Sequence, residues 1–444
     1  SWMPRSNRLY YTRKGMQGKE LVTIDPATQA EEVLAHNLPD GWFSFAPTED
    51  FLLFNITEEG PKKGEDLQEI LVPDDRQPGW RTRSFIHKYD LATGVFQRLT
   101  YGHTSTSIND ISDDGRYLLF TCSERELTKR PFSTTLLYRM DLQTLDTELL
   151  LKDPFISYAQ FSPDGKELAF IEDRIRLMVL NLETKKVRQI TDGSTWYSTD
   201  GGFDYAWSPD GKWFTLEFIG NRHDPYSDIG LVSAQGNSPI INLTNSGYMS
   251  GSPRFALDGN AILFKTERYG MRAHASWGSQ DDAMLVFLNQ DAYDKYCLSK
   301  EDYELRKELE AEQKKAQSKD TAKGKKGSKK DAGKEKAADD DKAQVKDITV
   351  ELKNMEDRMV RLTPNSSDMG SVIISKDGET LYYFAAFEGG YDLWKMDLRK
   401  KDTRLLHKMD AGWASMEMDK DGKNLFLLGS KTMQKMNMAS DELK

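Results

Sequence analysis

Two short stretches hold most of the side chains able to grip or polarise a ligand. Asn221-Arg222-His223-Asp224-Pro225-Tyr226-Ser227-Asp228 sets an arginine and a histidine beside a tyrosine and acids. Glu267-Arg268-Tyr269-Gly270-Met271-Arg272-Ala273-His274-Ala275-Ser276-Trp277 adds two arginines, a second histidine and two aromatic rings. A guanidinium fork beside an aromatic surface suits a peptide carboxylate, a carbonyl or the acidic edge of a protein partner. Arg222, His223, Arg268, Arg272, His274 and Trp277 are therefore the candidate peptide-binding residues. The same residue types also fit a structural role, with Asp228 and the matching Asp392 holding the turn before a strand and the arginines tying neighbouring units. The sequence has no G-x-S-x-G elbow, H-E-x-x-H helix, Walker loop or G-x-G-x-x-G turn, the motifs that would signal a nucleophile, a zinc site or a phosphate cradle. Acid pairs such as Asp281-Asp282 arise by chance where Asp and Glu number 71. Cys122 and Cys297 are too few for a zinc knuckle. The expectation is a chain with no catalytic residues, no metal and no cofactor of its own.

The elements that would position those loops show themselves as a repeat. Phe161-Ser162-Pro163-Asp164-Gly165-Lys166 recurs as Trp207-Ser208-Pro209-Asp210-Gly211-Lys212, and the Asp-Gly pair returns at 114, 258, 377 and 421. Two degenerate copies, Trp2-Met3-Pro4-Arg5-Ser6 and Phe45-Ala46-Pro47-Thr48-Glu49, bring the set to eight. Aligned on Asp210, the anchors fall at 5, 48, 114, 164, 210, 258, 377 and 421, with steps of 43, 66, 50, 46, 48, 119 and 44. Four residues after each anchor stand Leu9, Leu52, Leu118, Leu168, Phe214, Ile262, Leu381 and Leu425; six after stand Tyr11, Phe54, Phe120, Phe170, Leu216, Phe264, Tyr383 and Leu427. A spacing of two puts each pair on one face of a strand. Pro presets φ, Asp bonds back to the local backbone and Gly accepts positive φ, so each anchor is a hairpin turn. Third and fourth strands follow, as in Leu177-Met178-Val179-Leu180-Asn181 and Val187-Arg188-Gln189-Ile190-Thr191. Four antiparallel strands in roughly 45 residues make the blade of a β-propeller. The predicted fold is all-β, a ring of eight blades, with seven blades as the alternative. Both chemistry-bearing loops follow a second strand, so both leave the ring at the same end.

Two steps exceed a blade. The longer spacing between anchors 48 and 114 places a charged, Pro- and Gly-containing insertion between Glu58 and Trp80. The step to 377 holds about 73 surplus residues. There Ser299-Lys300-Glu301-Asp302 reads as a capping box, opening a helix through Tyr303, Leu305, Leu309 and Gln313. Residues 313–346 carry twelve lysines, six acids and no aromatic residue, a composition unable to bury a core and expected to be a solvated linker. The division is thus 1–289 for the first part of the propeller, 290–350 for the insertion and 351–444 for the last part. The net charge of −10 argues against nucleic acid as a partner. No run of 18 apolar residues is present, so no membrane span is expected; nor does the start show a signal-type pattern.

From about Phe161 onward the chain resembles the second propeller of bacterial tricorn-like serine peptidases. The resemblance rests on Phe203-Asp204-Tyr205-Ala206-Trp207-Ser208-Pro209-Asp210-Gly211-Lys212-Trp213, on the loop from Asn221 to Ser233, on Asp258-Gly259-Asn260 through Tyr293, on Val360-Arg361-Leu362-Thr363-Pro364-Asn365-Ser366-Ser367 and on Phe387-Glu388-Gly389-Gly390-Tyr391-Asp392-Leu393-Trp394. The Ser-Pro-Asp-Gly turn alone is similar to TolB-type propellers in general. Residues 1–150, through Leu71-Val72-Pro73-Asp74-Asp75-Arg76-Gln77-Pro78-Gly79-Trp80 and Ser123-Glu124-Arg125-Glu126-Leu127, look more like the propeller of dipeptidyl-peptidase and prolyl-oligopeptidase relatives. Tricorn's second propeller has seven blades and dipeptidyl-peptidase propellers often eight; the eight units here favour eight. In both families the propeller is non-catalytic and gates or guides peptides toward a serine-peptidase domain, whose catalytic residues have no counterpart in this sequence. The resemblance implies peptides, or a peptidase domain in the same or another chain, as partners, and a periplasmic or cell-envelope setting. The rival expectation is a TolB-like interaction scaffold without a peptidase; a self-sufficient glycosidase or lyase propeller would need an acid pair that is not recognisable here.

Overall fold

A computed structural model describes residues 2–3, 5–6, 8–16, 18–25, 28–59, 82–125, 128, 133–196, 202–220, 225–274, 277–309, 347–419, 421–430 and 432–443. The Ser-Pro-Asp-Gly anchors fold as the sequence requires. Ser112, Ser162, Ser208 and Ser375 each donate to the aspartate two residues on, at 2.6–2.7 Å. Each also accepts the amide that opens the next strand, at 2.8–3.0 Å. The turn glycines 115, 165, 211, 378 and 422 sit at φ between +68° and +73°, where a Cβ would clash with the backbone. In the last unit Asp419 replaces the serine and accepts from Lys423 and Asn424 amides.

Eight antiparallel sheets result. Blade 2 is Trp42–Phe45, Phe51–Glu58, Arg83–Asp90 and Phe96–Arg98; blade 3 is Thr106–Ile111, Tyr117–Arg125, Ser133–Asp141 and Thr147–Asp153. Blade 4 is Ile156–Phe161, Glu167–Glu172, Arg176–Asn181 and Val187–Gln189; blade 5 is Tyr205–Trp207, Trp213–Phe218, Asp228–Ser233 and Ile241–Asn242. Blade 6 is Ser250–Ala256, Ala261–Thr266, Asp282–Phe287 and Met359–Arg361; blade 7 is Asp368–Ile374, Thr380–Ala386, Tyr391–Asp397 and Asp402–Ala411. The terminal sheets have three strands each: Leu9–Gly15, Gly18–Ile24 and Glu31–Ala35 in blade 1, and Ala414–Met418, Asn424–Gly429 and Met433–Asn437 in blade 8. Their fourth positions are single bridges, Trp2 to Leu9 and Met436 to Leu443.

One packing rule builds the ring. Eight apolar clusters fill the eight gaps between successive blades. In every gap but the one between blades 8 and 1 the residues four and six after an anchor pack against the preceding blade, and the apolar residues five after pack against the following one. Leu168 and Phe170 pack with Leu119 and Leu137 of blade 3, while Ala169 and Ile171 pack with Phe214 and Leu216 of blade 5. Period-two alternation thus turns a sheet buried on both faces into a wedge between two neighbours. Fifteen of the sixteen test positions are buried; Tyr11, on the first blade, is the half-exposed exception. First strands of adjacent blades abut (blades 3 with 4, 5 with 6, 7 with 8), so they line the axis. The seam between blades 8 and 1 is packed by side chains: Trp2 stacks on Phe426 and joins Leu9, Ile24 and Met433. Among the described residues no strand crosses it.

The insertion leaves blade 6 between its third and fourth strands. Helix α1 (Gln290–Cys297) is N-capped by Asn289, whose side chain accepts from Ala292 at 2.9 Å. Helix α2 spans residues 300–309 of the described chain. Ser299 caps it, accepting the Asp302 amide at 3.1 Å, and Asp302 takes the Ser299 hydroxyl at 2.7 Å. The capping box and the helix stand where the sequence placed them, as far as the described residues run. Tyr303 is buried and donates to Asp377 O at 2.9 Å, whereas Leu305 and Leu309 are exposed. A tyrosine can reach a turn carbonyl while its ring lies under Arg399. The leucines fall on the turn of helix away from that contact.

Candidate functional site

An antiparallel blade sends its first-to-second and third-to-fourth turns to one end of the ring, and its second-to-third loops and inter-blade connections to the other. The short Ser-Pro-Asp-Gly turns and the helical insertion occupy the first end. The described ends of the second-to-third loops, at 58–59 and 82–83, at 125 and 133, at 218–220 and 225–228, and the described part of 266–282, lie at the second. Of the expected binding residues, Arg222 and His223 lie outside the described residues. Arg272–His274 and Trp277–Ser279 form a two-stranded ribbon rising from blade 6, with His274 opposite Trp277 and Arg272 opposite Ser279. Arg268, at the ribbon's foot, is exposed and lies 5.6 Å from the Tyr269 ring centroid. Arg361 approaches the same ring at 4.7 Å. The ribbon's foot crosses itself closely at Gly270, where a Cβ would stand 2.0 Å from Gln280 O. The four ribbon and foot residues therefore share one ridge of the loop end.

What holds the foot of the ridge is a pair of devices that recur at the third strands of several blades. Buried Asp282 accepts from Arg361 at 2.9 Å, from Thr363 at 2.7 Å and from Ser366 at 2.7 Å. Asp228 plays the same part in blade 5, accepting from Asn242, Thr244 and the Ser246 amide. Asp392 accepts the Met409 and Asp410 amides in blade 7. Asp228 and Asp392 hold strand starts in this structure. The second device is a threonine after a buried Leu or Ile. Thr100, Thr191, Thr244 and Thr363 each accept the amide of a third-strand residue, Ile86, Leu177, Ile229 and Ala283, at 2.8–3.1 Å. The recurring Leu/Ile-Thr pairs at 99–100, 190–191, 243–244 and 362–363 were the signal that could have revealed it.

The axis carries charges that reading the loops missed. Register shifts in the first strands of blades 3, 4, 6 and 7 insert bulges at Ile108–Asp110, Ser157–Gln160, Gly251–Arg254 and Met369–Val372, and bulges re-aim side chains. Glu217 of blade 5 accepts the Ser252 amide at 2.6 Å inside the blade 6 bulge. Burial, with Asp204 adding to it, pushes its carboxyl up to about 7. Asp281 is pushed up to about 6 by burial and by Glu267, Asp368 and Asp282, against the pull of Lys265. Burial lowers both Lys265 and Arg254. Lys265 donates to Met369 O at 2.9 Å. Tyr391 donates to Asp368 at 2.8 Å, and burial together with that bond lifts its phenol to about 12. A four-residue offset before each anchor marks Asp110, Gln160 and Arg254, a periodicity that only becomes meaningful once the axis is located.

At the turn end, a cavity of about 440 Å³ lies between blades 3, 4 and 5, lined by Asp110, Tyr117, Gln160, Phe161 and Trp207 among others. A second, of about 310 Å³, lies under the helices against Phe287, Tyr296, Tyr303 and Arg399. Arg399 fills its edge and donates to the Lys295, Tyr296 and Leu298 carbonyls, closing the C-terminus of α1. Among the described residues no group of three or more His, Cys, Asp or Glu side chains is placed to hold a metal ion, and no helix is long and apolar enough to cross a membrane.

Architecture alone defines the class: an eight-bladed β-propeller. Within that class, residues 112–219 match the family model described as the dipeptidyl peptidase IV (DPP IV) N-terminal region. The match spans both sides of Phe161. A protein described as a tricorn-like protease C-terminal subunit, from Sulfurisphaera tokodaii, is 27% identical over 114 residues, which is 26% of this chain and 12% of that protein. Among solved structures, dipeptidyl peptidase 4 of Porphyromonas gingivalis aligns with a TM-score of 0.56 at 11% identity, over 100% of this chain and 58% of that one. The tricorn protease aligns with a TM-score of 0.50 at 12% identity, over 96% of this chain and 37% of that one. The chain is thus similar to peptidase propellers, and it spans about an eighth of the curated relative's length.

Proposed function

We propose that this propeller is the non-catalytic, peptide-handling part of a serine peptidase, receiving peptides at its loop end and guiding them toward a separate peptidase domain. The ring segments 1–289 and 351–444 handle the peptide, and 290–350 is an insertion at the opposite end. The observation that carries this reading is the asymmetry of the two ends. Among the described residues, six of the seven exposed aromatic side chains, Trp42, Tyr101, Tyr158, Tyr269, Phe387 and Trp413, lie at or near the loop end. Flat rings rimmed by arginines bind extended peptides through both backbone and side chains. The likeness to tricorn-like and dipeptidyl peptidases supports a peptidase setting. Arg268 is the candidate contact whose side chain is described; Arg272, His274 and Trp277 belong to the same loop in sequence, and Arg222 and His223 to the corresponding loop after the second strand of blade 5.

The test is binding and turnover by the purified chain. Unstructured peptides of about 6–15 residues should bind with micromolar to millimolar affinity, weakened by Arg268→Ala and Tyr269→Ala, and none should be cleaved. Absence of peptide binding together with tight capture of a folded protein would return the reading to a TolB-like scaffold. Robust hydrolysis by the pure chain would overturn it altogether.

A further inference from the structure

We propose that Arg254 forms a carboxylate-binding site on the ring axis, taking the terminal or side-chain carboxylate of a peptide held by the propeller. The proposal rests on the peptide-handling reading and narrows it to a ligand group. Arg254 stands in the innermost strand of blade 6, where the register shift from Gly251 brings it opposite Leu263. Directly opposed residues share a sheet face, and Leu263 belongs to the cluster packed against blade 7. Arg254 therefore points from blade 6 toward the blade 7 side of the axis, on the same face as Lys265 two residues further along the second strand.

The two cations differ in their surroundings. Lys265 has a carbonyl at 2.9 Å and feels the carboxylates of Asp281 and Asp368. Arg254 is exposed toward the axis, is partly desolvated by the walls around it, and makes no hydrogen bond or ion pair among the described residues. The carboxyl of Glu217, on the neighbouring blade, is committed to the Ser252 amide. A guanidinium facing the axis, with no anion beside it among the described residues, is open to one that arrives along the axis. Its planar fork matches a carboxylate with two parallel hydrogen bonds. Lys265 next to it adds like charge and so strengthens the field that an incoming anion meets.

Three versions of one acetylated hexapeptide test the site: with a free C-terminus, with a C-terminal amide, and as the amide carrying one central glutamate. Titrated calorimetrically into the full chain, the free acid or the glutamate peptide, or both, should bind about tenfold tighter than the plain amide. Arg254→Gln should abolish that preference without changing the affinity for the amide, and Arg254→Lys should retain part of it. Because Arg254 has no hydrogen-bond or ion-pair partner among the described residues, Arg254→Gln should leave Tm unchanged or raise it, which an arginine kept for stability would not do. Preference for the free acid alone assigns a terminal carboxylate; preference for the glutamate peptide alone assigns a side chain. If wild type binds all three equally, or Arg254→Gln keeps the preference, the Arg254 site is wrong while peptide handling stands. If none of the three binds, the peptide-handling reading itself fails.

Discussion

Buried acids in this protein do two different jobs, and titration separates them. Asp282 is fully buried and accepts from three side chains. Removing it as Asp282→Ala strands Arg361, Thr363 and Ser366 and should cost about 3 kcal/mol in chemical denaturation. Asp392→Ala, which frees only two amides near solvent, should cost about 1 kcal/mol. Glu217 works in the opposite sense. Its carboxyl is lifted from an ordinary 4.5 to about 7 by burial, so the fold penalises the charged form. Below the unfolded value both states are protonated and there is no penalty; the penalty grows as pH rises from about 4.5 to 7 and is complete above that. Glu217→Gln keeps an acceptor for the Ser252 amide. The Tm difference between variant and wild type should therefore move in the variant's favour between pH 5 and pH 8, by the equivalent of 1–3 kcal/mol on the order-of-magnitude scale of such shifts. A pH-independent difference would show that Glu217 is solvated.

At the scale of elements, the blades are held by repeated local chemistry and the insertion by a few long-range contacts. Serine-aspartate turns and the strand-start threonines each join positions a few residues to about eighty apart. The two helices instead rest on Tyr303 against Asp377 O, on Lys307 with Glu379, and on Arg399 beneath the α1 carbonyls. Tyr303→Ala should release residues 300–309, seen as loss of amide protection there in hydrogen exchange, while the strands of blades 6 and 7 keep theirs. Loss of protection throughout blade 7 would mean that the helices are part of its core. The helix and its Ser299 cap were legible in the sequence, but the face by which it docks was not. Helical periodicity says which residues share a face, but a single tyrosine hydroxyl meeting a turn carbonyl outweighs two leucines that have no apolar surface to meet.

For the whole molecule the seam is the point of interest, because neighbouring blades elsewhere are joined by the chain and blades 8 and 1, among the described residues, by packing. Trp2→Ala removes the ring stacked on Phe426 and should cost about 3–5 kcal/mol of seam stability, read as raised exchange in blades 1 and 8 ahead of the rest. Uniform exchange around the ring would show that closure does not depend on this contact. The blade count, the strand order within a blade and the buried pairs four and six after each anchor were all legible in the sequence. Each follows from local rules, a turn of fixed chemistry and an alternation of two, that eight copies repeat and so reinforce. Arg254, without a partner among the described residues, the raised Glu217 and the clamp on Asp282 were not legible. Each depends on which residues of different blades meet around an axis, and a hydrogen-bond partner or a dielectric environment supplied from 35 to 81 positions away leaves no local trace. Periodicity dictated the wheel; closure of the wheel decided which of its charges are left facing inward.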